Sequence, residues 1–115
     1  MMYIHFQQWF TLDLCVIADE YGTVTLEHYK APVDCVQNYI CNLSVDHHLR
    51  GKGHGRKLLQ QAEKIAWAKG FEDVYLEWDS RDTPKWVLNW YLRNGYEEVK
   101  RNIYKRLLKK KITAE

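Results

Sequence analysis

The chain has 115 residues, 46% hydrophobic and 14% aromatic, with 17 Lys and Arg against 15 Asp and Glu for a net charge of +2. One domain over 1–115 is expected, with too much apolar content for disorder and too little net charge to mark a nucleic-acid or membrane binder by itself. Cys15, Cys35 and Cys41 are odd in number and lack CxxC spacing, so neither a disulfide framework nor a zinc knuckle is suggested, and no apolar run approaches ~18 residues.

The opening MMYIHFQQWF is too polar for a signal peptide, so a cytoplasmic location is expected, with no membrane partner. Residues 2–9 alternate weakly and suit a first strand. TLDLCVIA (11–18) and TVTLEHY (23–29) flank the turn residues DEYG and read as a β-hairpin. Pro32 breaks the chain, and VQNYICNLSV (36–45) has the composition of a long strand. From Gly55 the period changes: Leu58, Leu59, Ala62, Ile65 and Ala66 recur at helical spacing up to Gly70, predicting a helix over 55–69 of about 22 Å.

DVYLEWD (73–79) alternates again, with Val74, Leu76 and Trp78 on one side and Tyr75, Glu77 and Asp79 on the other. Thr83-Pro84 predicts a helix over 84–94, with Thr83 as cap, Pro84 in the first position, and an apolar side of Trp86, Val87, Trp90 and Tyr91. Two short strands near 96–100 and 103–109 end the chain. Strand–helix–strand over 36–79 is long enough for a crossover, so those two strands are expected to be parallel neighbours in an otherwise antiparallel sheet. The fold class is mixed α+β. The five Trp and eight Tyr are expected to serve the core first.

One stretch resists a purely structural account. RGKGHGRK (50–57) places Arg50, Lys52, Arg56 and Lys57 at a helix N-terminus, where cations cost roughly 0.3–1 kcal/mol each. An anion resting on the loop would remove that cost. The Walker A spacing fails, because no Ser or Thr follows Lys57, and GxGxxG fails because glycine is missing at Arg56 and at Leu58. RxxGxG between a strand and a helix remains, with backbone N–H groups free to converge on one anion.

Together, Leu43, Val45, Arg50, Gly51, Gly53 and Gly55 before an amphipathic helix resemble the acyl-CoA signature of the GNAT superfamily of N-acetyltransferases. WYLRNGY (90–96) is similar to that family's FYxKxGF, and GYEEVKRNIYKRLL to its closing hairpin. The resemblance covers roughly 36–110. It implies a GNAT-like fold whose fourth and fifth strands splay apart around the pantetheine arm of acetyl-CoA, the co-substrate, with no metal. It implies that Leu43, Ser44 and Val45 contact that arm, and that Arg50, Gly51, Lys52, Gly53, His54, Gly55 and Arg56 hold the pyrophosphate. Tyr91 would protonate the departing thiolate.

Three departures qualify the resemblance. Pro84 stands where an Asn is frequent, and His47 where a Pro is usual. The two helices normally inserted between the first two strands have no room at residues 10–11, so the front wall of the acceptor site is pared down, and homodimerisation is one way to supply it. For a base, Glu77 and Asp79 are candidates through water, with plain surface carboxylates as the alternative. His47 and His48 belong to the phosphate loop rather than to a base role. Cys41 suggests an acyl-enzyme only weakly, since a strand cysteine usually fills core; KRLLKKK (105–111) suits either contact with an acidic partner or, the commoner case, a solvated edge strand. The expected activity is direct acetyl transfer from acetyl-CoA to a primary amine, a protein lysine or N-terminus among the candidates. A CoA-binding domain without catalysis, or a small basic nucleic-acid binder, stays open as an alternative; nucleic acid is the less expected partner.

Overall fold

The computed structural model describes residues 1–46 and 50–112. Seven strands and two helices follow the order β1 (Tyr3–Gln8), β2 (Leu12–Ala18), β3 (Gly22–Val33), β4 (Val36–Val45), α1 (His54–Ala68), β5 (Asp73–Asp79), α2 (Lys85–Arg93), β6 (Glu97–Arg101) and β7 (Lys105–Lys111). All strands form one sheet in the order β1-β2-β3-β4-β5-β7-β6, antiparallel except for the parallel β4–β5 pair. The fold is α+β, with the parallel β4–β5 pair in an otherwise antiparallel sheet that the sequence implies.

The side-chain alternation of each strand sorts the sheet into two faces. Cys15, Ile17, Val24, Leu26, Ile40, Val74, Leu76 and Leu108 point to one face, where they meet Leu58, Leu59, Ala62 and Ala66 of α1 and Leu88 of α2 in a single buried cluster. Opposite faces follow from the registers. Leu14 opposes Glu27, Glu27 opposes Tyr39, Tyr39 opposes Tyr75, and Tyr75 opposes Lys109. That row crosses the helix-free face, which is polar and aromatic rather than oily. Trp9 amide donates to the Leu12 carbonyl (2.8 Å), so β1 turns directly into β2 with no inserted helix.

Both helices end by the same device. Gly70 (φ +92) lets its amide reach the Trp67 carbonyl (2.9 Å) while Phe71 reaches Ala66 (3.3 Å); Gly95 (φ +95) repeats this with Leu92 (3.2 Å), and Tyr96 with Tyr91 (3.2 Å). These are Schellman caps, which need a left-handed residue and therefore favour glycine. The second one buries Tyr96, whose hydroxyl donates to Glu63 of α1 (2.9 Å), and Lys110 donates to the other Glu63 oxygen (3.0 Å).

Several details differ from the expectations. Thr83 caps nothing: Pro84 itself occupies the cap position (φ −65, ψ 155), the helix begins at Lys85, and the Trp78 indole N–H donates to the Pro84 carbonyl (3.1 Å). The Val87 amide donates instead to the Pro84 carbonyl (3.1 Å), which serves one first-turn amide without a side-chain cap. Pro32 does not end β3, because it falls in the bulged interval between His28 and Val33 where no ladder bond is required. Asp34 and Cys35, both at positive φ (49 and 67), then form a two-residue turn closed by the Val33–Val36 pair, the geometry that matches strand twist. The aromatics are not chiefly core: Trp78, Tyr75 and Tyr96 are buried, but Tyr3, Phe6, Trp9, Phe10, Trp86 and Tyr104 are exposed.

Candidate active site

The site begins at a fault in β4. Between Thr23–Ser44 and Thr25–Cys41, β3 advances two residues while β4 advances three, and Asn42 takes a positive φ of 53. This bulge inverts the alternation. Before it Asn38 and Ile40 face the core; after it Leu43 and Val45 do. Gly22 is the other half of the arrangement. A Cβ there would lie 2.1 Å from the Ser44 carbonyl oxygen, so only glycine lets β3 run this close to the bulged strand.

β4 and β5 share one registered pair, Tyr39–Tyr75. On one side of it the Asn38 amide bridges the strands, donating to the Asp73 carbonyl (3.4 Å) and sharing a hydrogen bond with His28 Nδ1 (2.8 Å). On the other side the strands diverge, and a cleft of about 720 Å³ runs between them, large enough for a cofactor arm. Leu43, Ser44, Val45, Arg50, Gly51, Gly53, His54, Gly55 and Arg56 line it along the β4–α1 side. Lys52, also expected to hold the cofactor, does not. Glu77, Thr83, Pro84, Trp86, Val87, Trp90 and Tyr91 supply the other wall.

Gly51 (φ +81) and Gly53 (φ +84) set the loop, and Gly53 is the left-handed cap residue of α1. No side chain caps this helix and no acid stands in its first turn. Its leading amides thus keep their bonding capacity for an anion, with the helix dipole reinforcing it. Arg50 Nε donates to the Val45 carbonyl (3.3 Å), tying the loop back to the strand. The His54 ring stacks on Tyr21 (3.7 Å between centroids). Gly55 lies where a methyl would touch the Trp90 ring at 3.5 Å and Val45 at 3.6 Å, so α1 and α2 meet closely across the cleft floor. His47 and His48 lie outside the described residues.

Of the two singled-out carboxylates, Glu77 lines the cleft and accepts a hydrogen bond from the Tyr39 hydroxyl (2.9 Å). Asp79 does not line it. Both its oxygens are taken by Arg81 (3.1 and 2.8 Å), its Oδ1 also accepts the Arg81 amide (2.9 Å), and these bonds hold its carboxyl down to about 2. Burial pushes the Tyr91 phenol above its ordinary range, so Tyr91 carries its proton at neutral pH. Cys41, also at the cleft, is pushed up to about 11 by burial and then by the Glu27 charge, which leaves it almost no thiolate. Tyr39, Trp86 and Trp90 as cleft walls, and Gly22 as its support, were not singled out as site residues from the sequence. The change of parity from Ile40 to Leu43 was the available signal for the bulge.

The cleft thus joins an uncapped helix N-terminus, a splayed parallel strand pair and, across the gap, a tyrosine that burial keeps protonated. The acetyltransferase (GNAT) domain profile matches residues 11–98. The chain belongs to the GNAT acetyltransferase family. Its fold is similar to PaiA N-acetyltransferase of Thermoplasma acidophilum in complex with coenzyme A (18% identity, TM-score 0.70, 89% of this chain and 62% of that one). It is also similar to a Bacillus anthracis protein assigned as a streptothricin acetyltransferase, with acetyl coenzyme A bound (15%, 0.72, 90% and 64%), and to a Bacillus cereus acetyltransferase (24%, 0.65, 96% and 74%). The chain therefore spans under two thirds of the length of the first two. Comparison with curated protein sequences finds no match. Among the described residues, no helix is long and apolar enough to cross a membrane.

Proposed function

We propose that the protein transfers an acetyl group from acetyl-CoA to a primary amine, a protein lysine or N-terminus, by direct attack in a ternary complex. The carrying observation is the cleft itself: β4 and β5 part beyond Tyr39–Tyr75, and the α1 N-terminus, Glu77 and Tyr91 converge on the gap. In this reading the amides of 51–56 take the pyrophosphate, and the exposed edge of Leu43–Val45 bonds the pantetheine amides as a neighbouring strand would.

The amine nitrogen adds to the thioester carbonyl carbon, and the C–S bond then breaks. Tyr91 gives its proton to the leaving sulfur, a role favoured by a phenol that burial keeps protonated. A lysine-like amine at ~10.4 costs about 4.6 kcal/mol to deprotonate at pH 7, and Glu77, which lines the cleft and bonds Tyr39, is read as the base that takes that proton through water. Asp79 is read as a brace of the β5 end rather than as a second base, because Arg81 occupies it. Direct transfer is favoured over an acyl-enzyme because the Cys41 thiol stays protonated.

The test is calorimetric titration with acetyl-CoA and with CoA, followed by thiol release in the presence of amines. Saturable micromolar binding and amine-dependent release are expected. Binding that free CoA fails to displace, or an absence of release with every amine, would overturn the reading.

A further inference from the structure

A second groove, of about 660 Å³, runs over the helix-free face of the sheet between the β3–β4 turn and the β6–β7 hairpin. Tyr39 and Glu77 line both grooves. The two spaces therefore meet at Glu77, to which the base role is assigned, and at the Tyr39 that bonds it. The floor is Tyr39 and Tyr75, with Tyr29 at one side, and four cations stand over it against two carboxylates, Asp34 and Glu77. Arg101 is paired with Glu98 (2.8 Å) and Lys109 with Asp73 (3.7 Å), whereas Lys100 and Lys105 enter no ion pair among the described residues. Asp34 sits at the far turn and Glu77 at the junction, so the stretch between them is cationic.

We infer that this groove seats the acceptor, and that the acceptor is an amine flanked by carboxylates, in the form of a peptide segment with acidic side chains beside the reacting nitrogen. The inference rests on the acetyl-transfer reading above and narrows its substrate class. A bare cationic acceptor, such as a polyamine, would meet like charge on approach, which costs affinity and slows encounter. A carboxylate next to the amine would instead reach Lys100 and Lys105 while the amine itself approaches Glu77. Tyrosine walls suit an extended chain, because they give apolar contact together with hydroxyls for its backbone. The openness of the face, left by the direct β1–β2 turn, allows such a segment to lie across it.

The experiment uses the full chain and three blocked peptides of equal length, each with one central lysine flanked by Asp, Ser or Arg. Their binding to CoA-saturated protein is read by fluorescence anisotropy and their acetylation by mass shift, with free aspartate and glutamate as small-molecule acceptors. The Asp peptide is expected to bind and react at least tenfold better than the Arg peptide in low salt, the gap closing as salt rises. Lys100→Glu with Lys105→Glu should reverse the order while leaving the affinity for acetyl-CoA unchanged. Lys64→Glu with Lys69→Glu, an equal change of net charge at α1 on the other side of the molecule, should leave the order as it was. Faster reaction with free aspartate or glutamate than with any peptide would keep the carboxylate recognition and overturn the peptide source. Equal or reversed binding of the Asp and Arg peptides, or an order insensitive to Lys100 and Lys105, would overturn the inference. Selective binding of the Asp peptide with no acetylation of any amine would uphold the groove and overturn the catalytic reading instead.

Discussion

Gly22→Ala is the substitution whose outcome follows most directly from the geometry. The added Cβ would stand 2.1 Å from the Ser44 carbonyl oxygen and 3.0 Å from the Val45 Cα, where real Cβ contacts essentially never fall below 3.0 Å. The strands must part by about 0.9 Å, and the displaced atoms are backbone on both sides, so no side chain can rotate away. Overpacking of this kind costs roughly 2–3 kcal/mol, which for a domain of this size lowers Tm by about 8–12 °C at around 4 °C per kcal/mol. Because Ser44 and Val45 border the cleft, a several-fold loss of acetyl-CoA affinity should accompany it. Thermal melts and calorimetry on the variant, with Gly70→Ala as control, separate the effects. Gly70 has positive φ but open space around it, so its variant should lose about 1 kcal/mol and keep its affinity. A Gly22→Ala protein melting within 2 °C of the parent would show that β3 does not press on the bulge as described, and the account of the cleft would fall with it.

Tyr91→Phe should lower kcat by about 10²-fold or more while the acetyl-CoA Kd stays within twofold, a split that steady-state kinetics and calorimetry read together. Asp79 gives a pH signature. Its folded pKa is depressed from 3.8 to about 2, so its stabilisation is complete above pH 4 and drains away as the pH falls through about 2; Asp79→Asn should flatten Tm against pH over that window and leave turnover within a few-fold. Tyr96→Phe removes a donor from buried Glu63, which Lys110 still holds, and should cost about 1–2 kcal/mol in denaturant melts without touching the cleft.

Much of the architecture was legible because local signals agreed with it. Hydrophobic period separated helix from strand at Gly55, and Gly70 and Gly95 marked helix ends that only left-handed residues allow. β4 and β5 begin and end where alternation predicts, and their parallel pairing follows from the crossover length. What escaped were effects of proximity in space. Nothing local to Gly22 announces the carbonyl of Ser44, and Trp86 and Trp90 have helical spacing whether they fill a core or wall a cleft. Asp79 and Glu77 look alike in sequence, and only Arg81 folding back onto one of them tells them apart. The loop residues were singled out by the spacing of their glycines and Arg50, and of positions 50–56 only Lys52 fails to line the cleft.

Among the described residues the sheet is joined across its middle by one registered pair and by two side-chain hydrogen bonds, Asn38 to Asp73 and Tyr39 to Glu77, so its weakest line coincides with the place where its reaction is assigned. Whatever occupies the opening ties the β1–β4 half to the β5–β7 half. At a hundred times its dissociation constant, such a ligand adds about 2.7 kcal/mol, a sizeable share of the 5–15 kcal/mol that holds a typical domain together. Resistance to heat and to proteases would then rise and fall with the supply of ligand, making the lifetime of the polypeptide a gauge of how full it is kept.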